Sequence, residues 1–565
     1  MKVLLFFLIG IQFHSFCQWN GNETPTYSKL VEDCKIFASI HSEIQLFNMG
    51  ESDYGLPIYL FVINGGKDSL LTFKKAKQST TLLVNNAIHP GEPDGINAML
   101  LWVKEWIEKG KPTKDMPVLA FIPAYNIGGM MNRSSTSRAN QEGPAEYGFR
   151  GNAKNLDLNR DFIKMDSKNA FTFAKIFHGL DPDVFIDNHV TNGADYQYIL
   201  TLISSLKERL APSLKDATYF KMIPGLKKQL EKRKIDLIPY IDLVDETPDS
   251  GLVMFNDLPR YAMGYASLFN TFSFTVETHM LKPFPERVQA TKAFLEEMLV
   301  YMKNESELIE KSREEAKKFQ MSERYHYFNF ELDKSHKDSI RFKGFEAKYK
   351  PSEVTGLSRL YYDRNAPYEK YVPFYNTHKA KDSVFIPKFY IVGAQAKELI
   401  DRLKANSVEM RKMTKDSTIV VTAQKITDYK SSSNPYEHHY LHNSVKVEKM
   451  EKEVNLKSGD IIILAQQEKS FFLQSVLFPQ TEDSYFAWNF FDSYLDEKEY
   501  FSPYVFEDVA AKLLEEHPDW RKDLEDKKAS DAEFSKNQWA QLYFIYQRSA
   551  YFEPTYRTIP VYLVF

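Results

Sequence analysis

Apolar and polar positions along the first 320 residues form two repeating patterns, which predict strands and helices in alternation. Helical spacing of apolar residues occurs at 96–110, 167–180 and 288–318. Short apolar runs typical of buried strands occur at 43–47, 57–63, 81–88, 117–124, 183–189 and 272–277. Strands that alternate with helices predict an α/β domain with a largely parallel or mixed sheet. We expect its candidate polar residues, His89, His189 and Glu277, at strand ends, where ligands bind in such sheets.

The pattern changes after a heavily charged stretch at 304–320, which predicts a domain boundary. Beyond it, the runs STIVVTA, DIIILA and SFFLQSVLF indicate a β-containing accessory domain with a few helices. The chain is rich in Tyr and Phe, 33 and 42 of 565 residues, and aromatic residues favour half-buried strands. We therefore predict three parts: a signal peptide at 1–17, a catalytic domain at 18–320, and a β-rich C-terminal domain at 321–565.

The N-terminus has the pattern of an export signal. Lys2 supplies the charge, residues 3–13 are almost wholly apolar, and Ser15-Phe16-Cys17 offers a cleavage site after or near Cys17. Lipidation of Cys17 is the alternative interpretation. We expect a secreted or periplasmic protein without stable membrane insertion, because no later apolar run reaches about 18 residues. After cleavage only Cys34 remains, so an internal disulfide and a Cys-ligated zinc site are both excluded.

The charge balance bears on the class of partner. Lys and Arg total 72 and Asp and Glu total 76, which gives a net charge of −4. Binding to nucleic acid requires a strongly basic face. The composition therefore offers no case for a nucleic-acid partner.

Three residues of metal-binding type follow predicted strands. His89 and Glu92 stand in the turn HPGE, and His189 ends the strand DVFIDNH. Two His and one Glu bind zinc and leave a fourth position open for water, as in catalytic zinc sites. The alternative for each histidine is a hydrogen-bonded residue at the end of a strand.

Two further segments carry chemistry. In DLNRDF, Asp157 is suited to orient a ligand histidine, and the planar fork of Arg160 is suited to bind a carboxylate. A surface cluster of ion pairs is the alternative for this segment. Glu277 ends the apolar strand FSFTVE, where it would serve as general base beside a metal-bound water. The alternative there is an ion-paired glutamate at the edge of the sheet.

Five motifs together resemble the zinc carboxypeptidase family, the carboxypeptidase A/B-like enzymes, over roughly residues 25–300. They are HPGE (89–92), FRGN (149–152), DLNRDF (157–162), a strand-end His189 and TVE (275–277), in the family's order. The resemblance implies a three-layer mixed-sheet catalytic domain with one Zn²⁺ per chain. It also implies that His89, Glu92 and His189 bind the zinc, that Asp157 supports His89, that Asn159 and Arg160 dock the substrate carboxylate, that Arg150 stabilises the oxyanion, and that Glu277 is the general base and acid.

The chain departs from the family pattern at two places. Gly91 stands where the archetypes have an arginine, which removes one cationic contact; Arg260 is a candidate substitute. The archetypes also have a mobile tyrosine upstream of the catalytic glutamate, for which Tyr261 and Tyr265 are the nearby candidates.

Two interpretations remain open for His279, a pocket residue or a structural one. The same holds for His438, His439 and His442, which form either a second metal site or an exposed polar loop.

Three functions follow from these residues. The first is a secreted metallocarboxypeptidase that hydrolyses the last peptide bond of peptides or proteins by a zinc-activated water. The second is a related zinc amide hydrolase, either a cell-wall peptidase or an N-acyl amino acid deacylase. The third is a non-catalytic binding module on the same fold.

Overall fold

A computed structural model describes residues 21–110 and 116–565, so the N-terminal export pattern and Cys17 lie outside the described residues. Within this range no helix is long and apolar enough to cross a membrane. An eight-stranded sheet forms the centre of the first half, in the order β1-β2-β4-β3-β5-β10-β6-β7. These strands are β1 (Ile44–Glu51), β2 (Pro57–Ile63), β3 (Thr81–Asn85), β4 (Val118–Ile122), β5 (Val184–Thr191), β6 (Leu200–Ser204), β7 (Leu237–Pro239) and β10 (Phe272–His279).

The sheet is mixed, as the alternation of elements predicts. Strands β4, β3, β5 and β10 are mutually parallel. Strand β2 is antiparallel to both β1 and β4, and β6 is antiparallel to β10 but parallel to β7. The carboxyl ends of β3, β5 and β10 therefore lie side by side at one edge. This edge is where ligands bind in α/β sheets.

Helices cover both faces of this sheet, which makes three layers. Phe185 of β5 contacts Phe173 on one face, whereas the next residue, Ile186, lies beside Phe294 on the other. The helices of this half are α1 (Tyr27–Ile40), α2 (Ser69–Ala76), α3 (Asp94–Glu108), α4 (Ile127–Met131), α5 (Lys168–Leu180), α6 (Pro212–Ala217), α7 (Ile223–Lys232), α8 (Ala262–Ser267), α9 (Phe284–Asn304) and α10 (Ser306–Ser322). The three-layer α/β prediction is confirmed.

Some predicted element bounds were wrong. Strand β3 ends at Asn85, four residues before His89, whereas β5 and β10 continue two residues past His189 and Glu277. The single helix predicted at 288–318 is two helices, because the backbone leaves the helical conformation at Glu305. The charged segment is thus a second helix, α10, held by Arg313, which pairs with Asp181 and Asp183 at 2.7 Å each.

The chain after residue 322 is rich in strands, as predicted. Its elements are β11 (Tyr325–Leu332), β12 (Asp338–Pro351), β13 (Ser358–Tyr375), β14 (His378–Phe385), β15 (Phe389–Val392), α11 (Lys397–Ala405), β16 (Met410–Lys412), β17 (Ser417–Ser431), β18 (His442–Leu456), β19 (Ile461–Leu464), α12 (Ser470–Leu477), α13 (Pro503–Glu516), α14 (Pro518–Ser530), α15 (Gln538–Tyr546) and β20 (Val561–Val564). Six of the strands form a second large sheet, in the order β16-β19-β15-β20-β17-β18.

The run SFFLQSVLF forms the helix α12 rather than a strand. Phe472, Leu473, Val476 and Leu477 are almost completely buried against the surrounding core. A helix that is buried on every side has no polar face, so its apolar run cannot be told from that of a buried strand.

The two halves of the chain share structure. Two short strands of the first half, β8 (Asp242–Leu243) and β9 (Leu252–Val253), extend a sheet through the parallel pairing of β9 with β13. Arg364 of β13 pairs with Asp195 at 2.6 Å. Backbone hydrogen bonds thus join segments from both sides of residue 320. The domain boundary at that residue stays a prediction.

Candidate active site

The candidate site lies at the carboxyl ends of β3, β5 and β10. His189 and Glu277 are paired in register on the parallel strands β5 and β10, so their side chains share one face. His89 and Glu92 come from the turn that follows β3. This turn is closed by the Glu92 N–H, which donates to the His89 carbonyl at 2.8 Å.

The turn is followed by a close approach between a helix and the sheet. A Cβ atom on Gly95, in the first turn of α3, would lie 2.2 Å from Asn86 Oδ1 and 2.7 Å from Asn188 Cβ. Only glycine lets the helix pack this closely. The packing brings the start of α3, and with it Glu92, against the end of β5.

Three residues could hold a metal ion. Donor atoms of His89, Glu92 and His189 all lie within 4.8 Å of one another, and the three residues are at most 5% exposed. The Nε2–H of His89 faces Asp157 Oδ1 at 2.9 Å, and that of His189 faces Asp187 Oδ2 at 2.8 Å. Each imidazole is thereby oriented by a carboxylate and directs its Nδ1 toward Glu92.

The chemistry of this set fits a zinc ion. His89 Nδ1 is buried and makes no hydrogen bond with any residue that the structure describes. A buried polar atom without a partner is costly, and a metal bound at that nitrogen would remove the cost. Two imidazole nitrogens and one carboxylate are zinc donors that leave a position open.

Two arginines flank the carboxylate of Glu92. Arg138 Nη1 donates to Glu92 Oε1, and Arg150 Nη1 lies 3.5 Å from the same oxygen. Burial raises the pKa of Glu92, but Arg138 and His89 outweigh burial, so this pKa lies well below its usual range. Glu92 is therefore ionised at neutral pH, the form in which a carboxylate binds metal.

Arg138 also explains the glycine at position 91. A Cβ atom on Gly91 would lie 2.9 Å from Arg138 Cδ and 3.1 Å from the Gly148 carbonyl oxygen. A side chain at 91 would crowd Arg138 and the Gly148 carbonyl, and Arg138 brings a guanidinium group beside this position from another part of the chain. No motif indicated Arg138, because it lies in the long irregular segment between α4 and the DLNRDF motif. The predicted substitute, Arg260, does not line the cavity and pairs instead with Asp483 at 2.8 Å.

A cavity of about 430 Å³ opens beside the three candidate ligands, and Glu277 lines it. The Glu277 carboxylate makes no hydrogen bond with a described residue, so it is available to water or substrate. Burial raises the pKa of Glu277 to about 7, an increase that His189 opposes and Glu92 reinforces.

The residues expected to dock a substrate line the same cavity. Asn159 Oδ1 accepts from the Ala262 N–H at 2.9 Å, which leaves the Asn159 Nδ2 to donate. Arg160 donates through Nε to Tyr436 at 2.9 Å and through Nη1 to the Asn159 carbonyl at 2.8 Å. Its Nη2 has no hydrogen-bond partner among residues 21–110 and 116–565. Arg150 is about half exposed and donates through Nε to Asp157 Oδ2 at 2.9 Å.

The two candidate tyrosines differ in environment. Tyr261 lines the cavity, and its ring centroid lies 4.5 Å from the Arg160 guanidinium carbon. Tyr265 is buried in the core and donates to Asn406 Oδ1 at 2.6 Å. A third tyrosine, Tyr240, also lines the cavity and was not among the predicted residues. Burial and the nearby Glu277 raise the pKa of Tyr240 to about 12, so it is a hydrogen-bond donor at neutral pH.

His279 and two of the three histidines in the 438–442 cluster have structural partners. His279 is fully buried, and its Nε2 lies 2.8 Å from the Ala194 carbonyl oxygen. His439 faces Asp166 at 2.8 Å, and His442 faces Asp492 at 2.9 Å. Among the described residues, only the His89 cluster brings three metal-binding groups together.

Solved structures similar to this chain include several metallocarboxypeptidases. That of Burkholderia cenocepacia is 16% identical, with 48% of this chain and 69% of that chain covered and a TM-score of 0.36. That of Pseudomonas aeruginosa is 15% identical, with 49% and 69% covered and a TM-score of 0.35. Carboxypeptidase A of Helicoverpa armigera is 13% identical, with 55% and 80% covered and a TM-score of 0.38.

These proteins are of the class that the sequence motifs resemble. No family model and no curated protein matches the chain. Identities below 20% assign no activity, so the functional conclusion depends on the geometry of the site.

Asp187 contacts the candidate ligand His189 and was not among the predicted residues. Its role in orienting His189 can be tested by the affinity for metal. We expect Asp187→Asn to weaken zinc binding about 10- to 100-fold, because the carboxylate that orients His189 is lost. Competition with a chromophoric chelator measures this affinity. Asp216→Asn, at an exposed position of α6, is the matched control. Equal zinc affinity of Asp187→Asn and the wild-type protein would contradict the assigned role.

Proposed function

We propose that this chain is an exported zinc-dependent metallocarboxypeptidase that hydrolyses the C-terminal peptide bond of peptides or proteins. The observation that carries the proposal is a single cavity in which a buried His-Glu-His set, a buried carboxylate and an arginine with a free nitrogen lie together. The N-terminal apolar run with its preceding lysine supports export.

The substrate's terminal carboxylate binds at the side of the cavity that Arg160 lines. Arg160 Nη2 and Asn159 Nδ2 are the donors that the surrounding structure leaves free, and both residues line the cavity. A terminal carboxylate that accepts from them places the last peptide bond toward His89 and His189. This fixed orientation is the main contribution of binding groups to the rate.

Proton transfer falls to Glu277. A zinc ion held by the three ligands would supply Lewis acidity toward the scissile carbonyl and toward a water molecule. Glu277 accepts a proton from the attacking water and returns a proton to the leaving amine nitrogen as the C–N bond breaks. Its carboxylate, which has no hydrogen bond to a described residue, is unhindered for both steps.

The arginines beside Glu92 are suited to stabilise negative charge. The scissile carbonyl oxygen gains charge only as the tetrahedral state forms, and a fixed donor that meets it then lowers the barrier. Arg150 and Arg138 both line the cavity next to the metal ligands. We assign the oxyanion contact to Arg150, as the motifs indicated, because Arg138 already donates to Glu92 through Nη1 and to the Val190 carbonyl through Nη2.

The remaining walls of the cavity indicate which substrate side chain it accepts. They include the apolar or aromatic residues Ile203, Tyr240, Phe255 and Met263. The charged groups that line the cavity are those already assigned to catalysis and docking. We infer a preference for peptides that end in an apolar or aromatic residue.

A related zinc amide hydrolase is the second candidate. The hydrogen bonds of Arg160 favour this candidate, because two of the three guanidinium nitrogens already donate to the protein. A carboxylate would then be held by Nη2 rather than by a free bidentate fork. A cell-wall peptide that is cleaved away from its C-terminus would place a different group at this position.

The general-base assignment predicts the behaviour of Glu277→Gln. The variant keeps the zinc ligands but cannot accept a proton, so we expect kcat to fall about 10²–10⁴-fold with zinc content unchanged. Metal analysis and peptide hydrolysis measure the two quantities. Glu231→Gln, at an exposed position of α7, should match the wild-type protein. Full turnover by Glu277→Gln would rule out this mechanism.

The carboxylate-docking assignment predicts discrimination between two substrates. For an N-blocked dipeptide ending in Phe, we expect kcat/KM of the free acid to exceed that of its C-terminal amide by about 10²-fold, since hydrogen bonds to a charged group are lost. Mass spectrometry of the products should show single residues leaving the C-terminus. Equal cleavage of acid and amide would favour the amide hydrolase and contradict the carboxypeptidase.

A further inference from the structure

The hairpin loop between β17 and β18, residues 432–441, reaches from the second large sheet to the candidate active site. At its tip, backbone hydrogen bonds join Tyr436 and His439 in both directions, at 2.7 and 3.0 Å. The two residues between them, Glu437 and His438, have φ of 48° and 75°, in the left-handed region. Positive φ at both central residues is typical of the tight turns that form two-residue loops between hairpin strands. The loop thus presents its tip residues in one defined arrangement.

Three polar contacts of this tip fall on the segment that includes DLNRDF. Tyr436 Oη accepts from Arg160 Nε at 2.9 Å, and Glu437 Oε2 accepts from the Asp157 N–H at 2.7 Å. His439 Nε2 lies 2.8 Å from Asp166 Oδ2. The loop therefore holds both the residue that supports His89 and the residue expected to dock the substrate.

Tyr436 is itself held by a buried group of the C-terminal region. Its ring is stacked on Trp488, with 6.2 Å between centroids and 22° between planes, and Trp488 is fully buried. Trp488 Nε1 donates to Asp483 at 3.1 Å, and the same carboxylate pairs with Arg260. Arg260 also contacts Tyr436, with its guanidinium carbon 5.7 Å from the ring centroid. The phenol ring is thus held by Trp488 and Arg260 as well as by Arg160.

The contact with Tyr436 determines which part of Arg160 is free. Arg160 Nη1 lies 3.7 Å from Asp157 Oδ2, a carboxylate that would attract the whole guanidinium group. Donation from Nε to Tyr436 and stacking against Tyr261 hold the group in a different orientation. Nη2 is the nitrogen left for a ligand in the cavity.

We propose that Tyr436 is a positioning residue, by which the C-terminal region fixes Arg160 for recognition of a substrate's terminal carboxylate. The inference rests on the proposed function. Without the Tyr436 hydroxyl, Arg160 turns toward Asp157, and the site loses affinity for free-acid ligands alone. The C-terminal region is then part of the substrate-binding apparatus rather than a separate module.

Tyr436→Phe tests this role, because it removes one oxygen and keeps the ring on Trp488. For a free-acid peptide we expect KM to rise about 5- to 20-fold, the effect of one hydrogen bond to a charged group, with kcat within about twofold. Hydrolysis of the amidated peptide should not change. Tyr440→Phe is the matched control, because Tyr440 lies in the same loop with its ring about half exposed.

A second measurement does not depend on turnover. Calorimetric titration of the zinc-loaded protein with N-acetylphenylalanine and with its amide should show the same loss for Tyr436→Phe, confined to the free acid. If the wild-type protein does not prefer the acid, the proposed function fails and this inference fails with it. If the wild-type protein prefers the acid and Tyr436→Phe keeps that preference, only this inference is overturned. A fall in kcat with KM and affinity unchanged would also overturn it.

Discussion

Four ionisable side chains, His89, Glu92, His189 and Glu277, are buried next to one another, and the structure around them is arranged to make this burial tolerable. An isolated buried charge costs many kcal/mol, so such groups occur only with partners or a metal. Here the two histidines and Glu92 each have charged partners. Two carboxylates face the outer nitrogens of the histidines, and two guanidinium groups face the carboxylate of Glu92.

The sheet is what brings these groups together. Parallel strands β3, β5 and β10 end at the same edge, and the register of β5 with β10 puts His189 beside Glu277. The turn after β3 adds His89 and Glu92, and the glycine at position 95 lets the next helix pack close enough to hold them. Segments far away in the chain complete the site: the loop that carries Arg138, and the hairpin loop that carries Tyr436. In the function proposed above, substrate recognition depends on the C-terminal region as well as on the first 320 residues.

Local patterns predicted much of this arrangement, and long-range contacts account for the rest. The HPGE and DLNRDF motifs and the apolar strands before His189 and Glu277 were visible as short stretches. Asp187 could have been found, because it stands two residues before His189 and so shares its face of the strand. Arg138 lies 46 residues from Glu92, and Tyr436 lies 276 residues from Arg160. No periodicity or spacing connects residues so far apart. Helix α12 was mistaken for a strand for a physical reason as well, since it is buried on every side and shows no helical pattern of polar positions.

The proposed function depends on one metal ion that joins three side chains from two distant segments. Anomalous diffraction at the zinc edge from crystals of the zinc-loaded protein tests it directly. The expected result is one zinc ion at about 2.0–2.2 Å from His89 Nδ1, His189 Nδ1 and a carboxylate oxygen of Glu92. A zinc ion bound elsewhere, or a crystal that takes up none at this site, would contradict the claim.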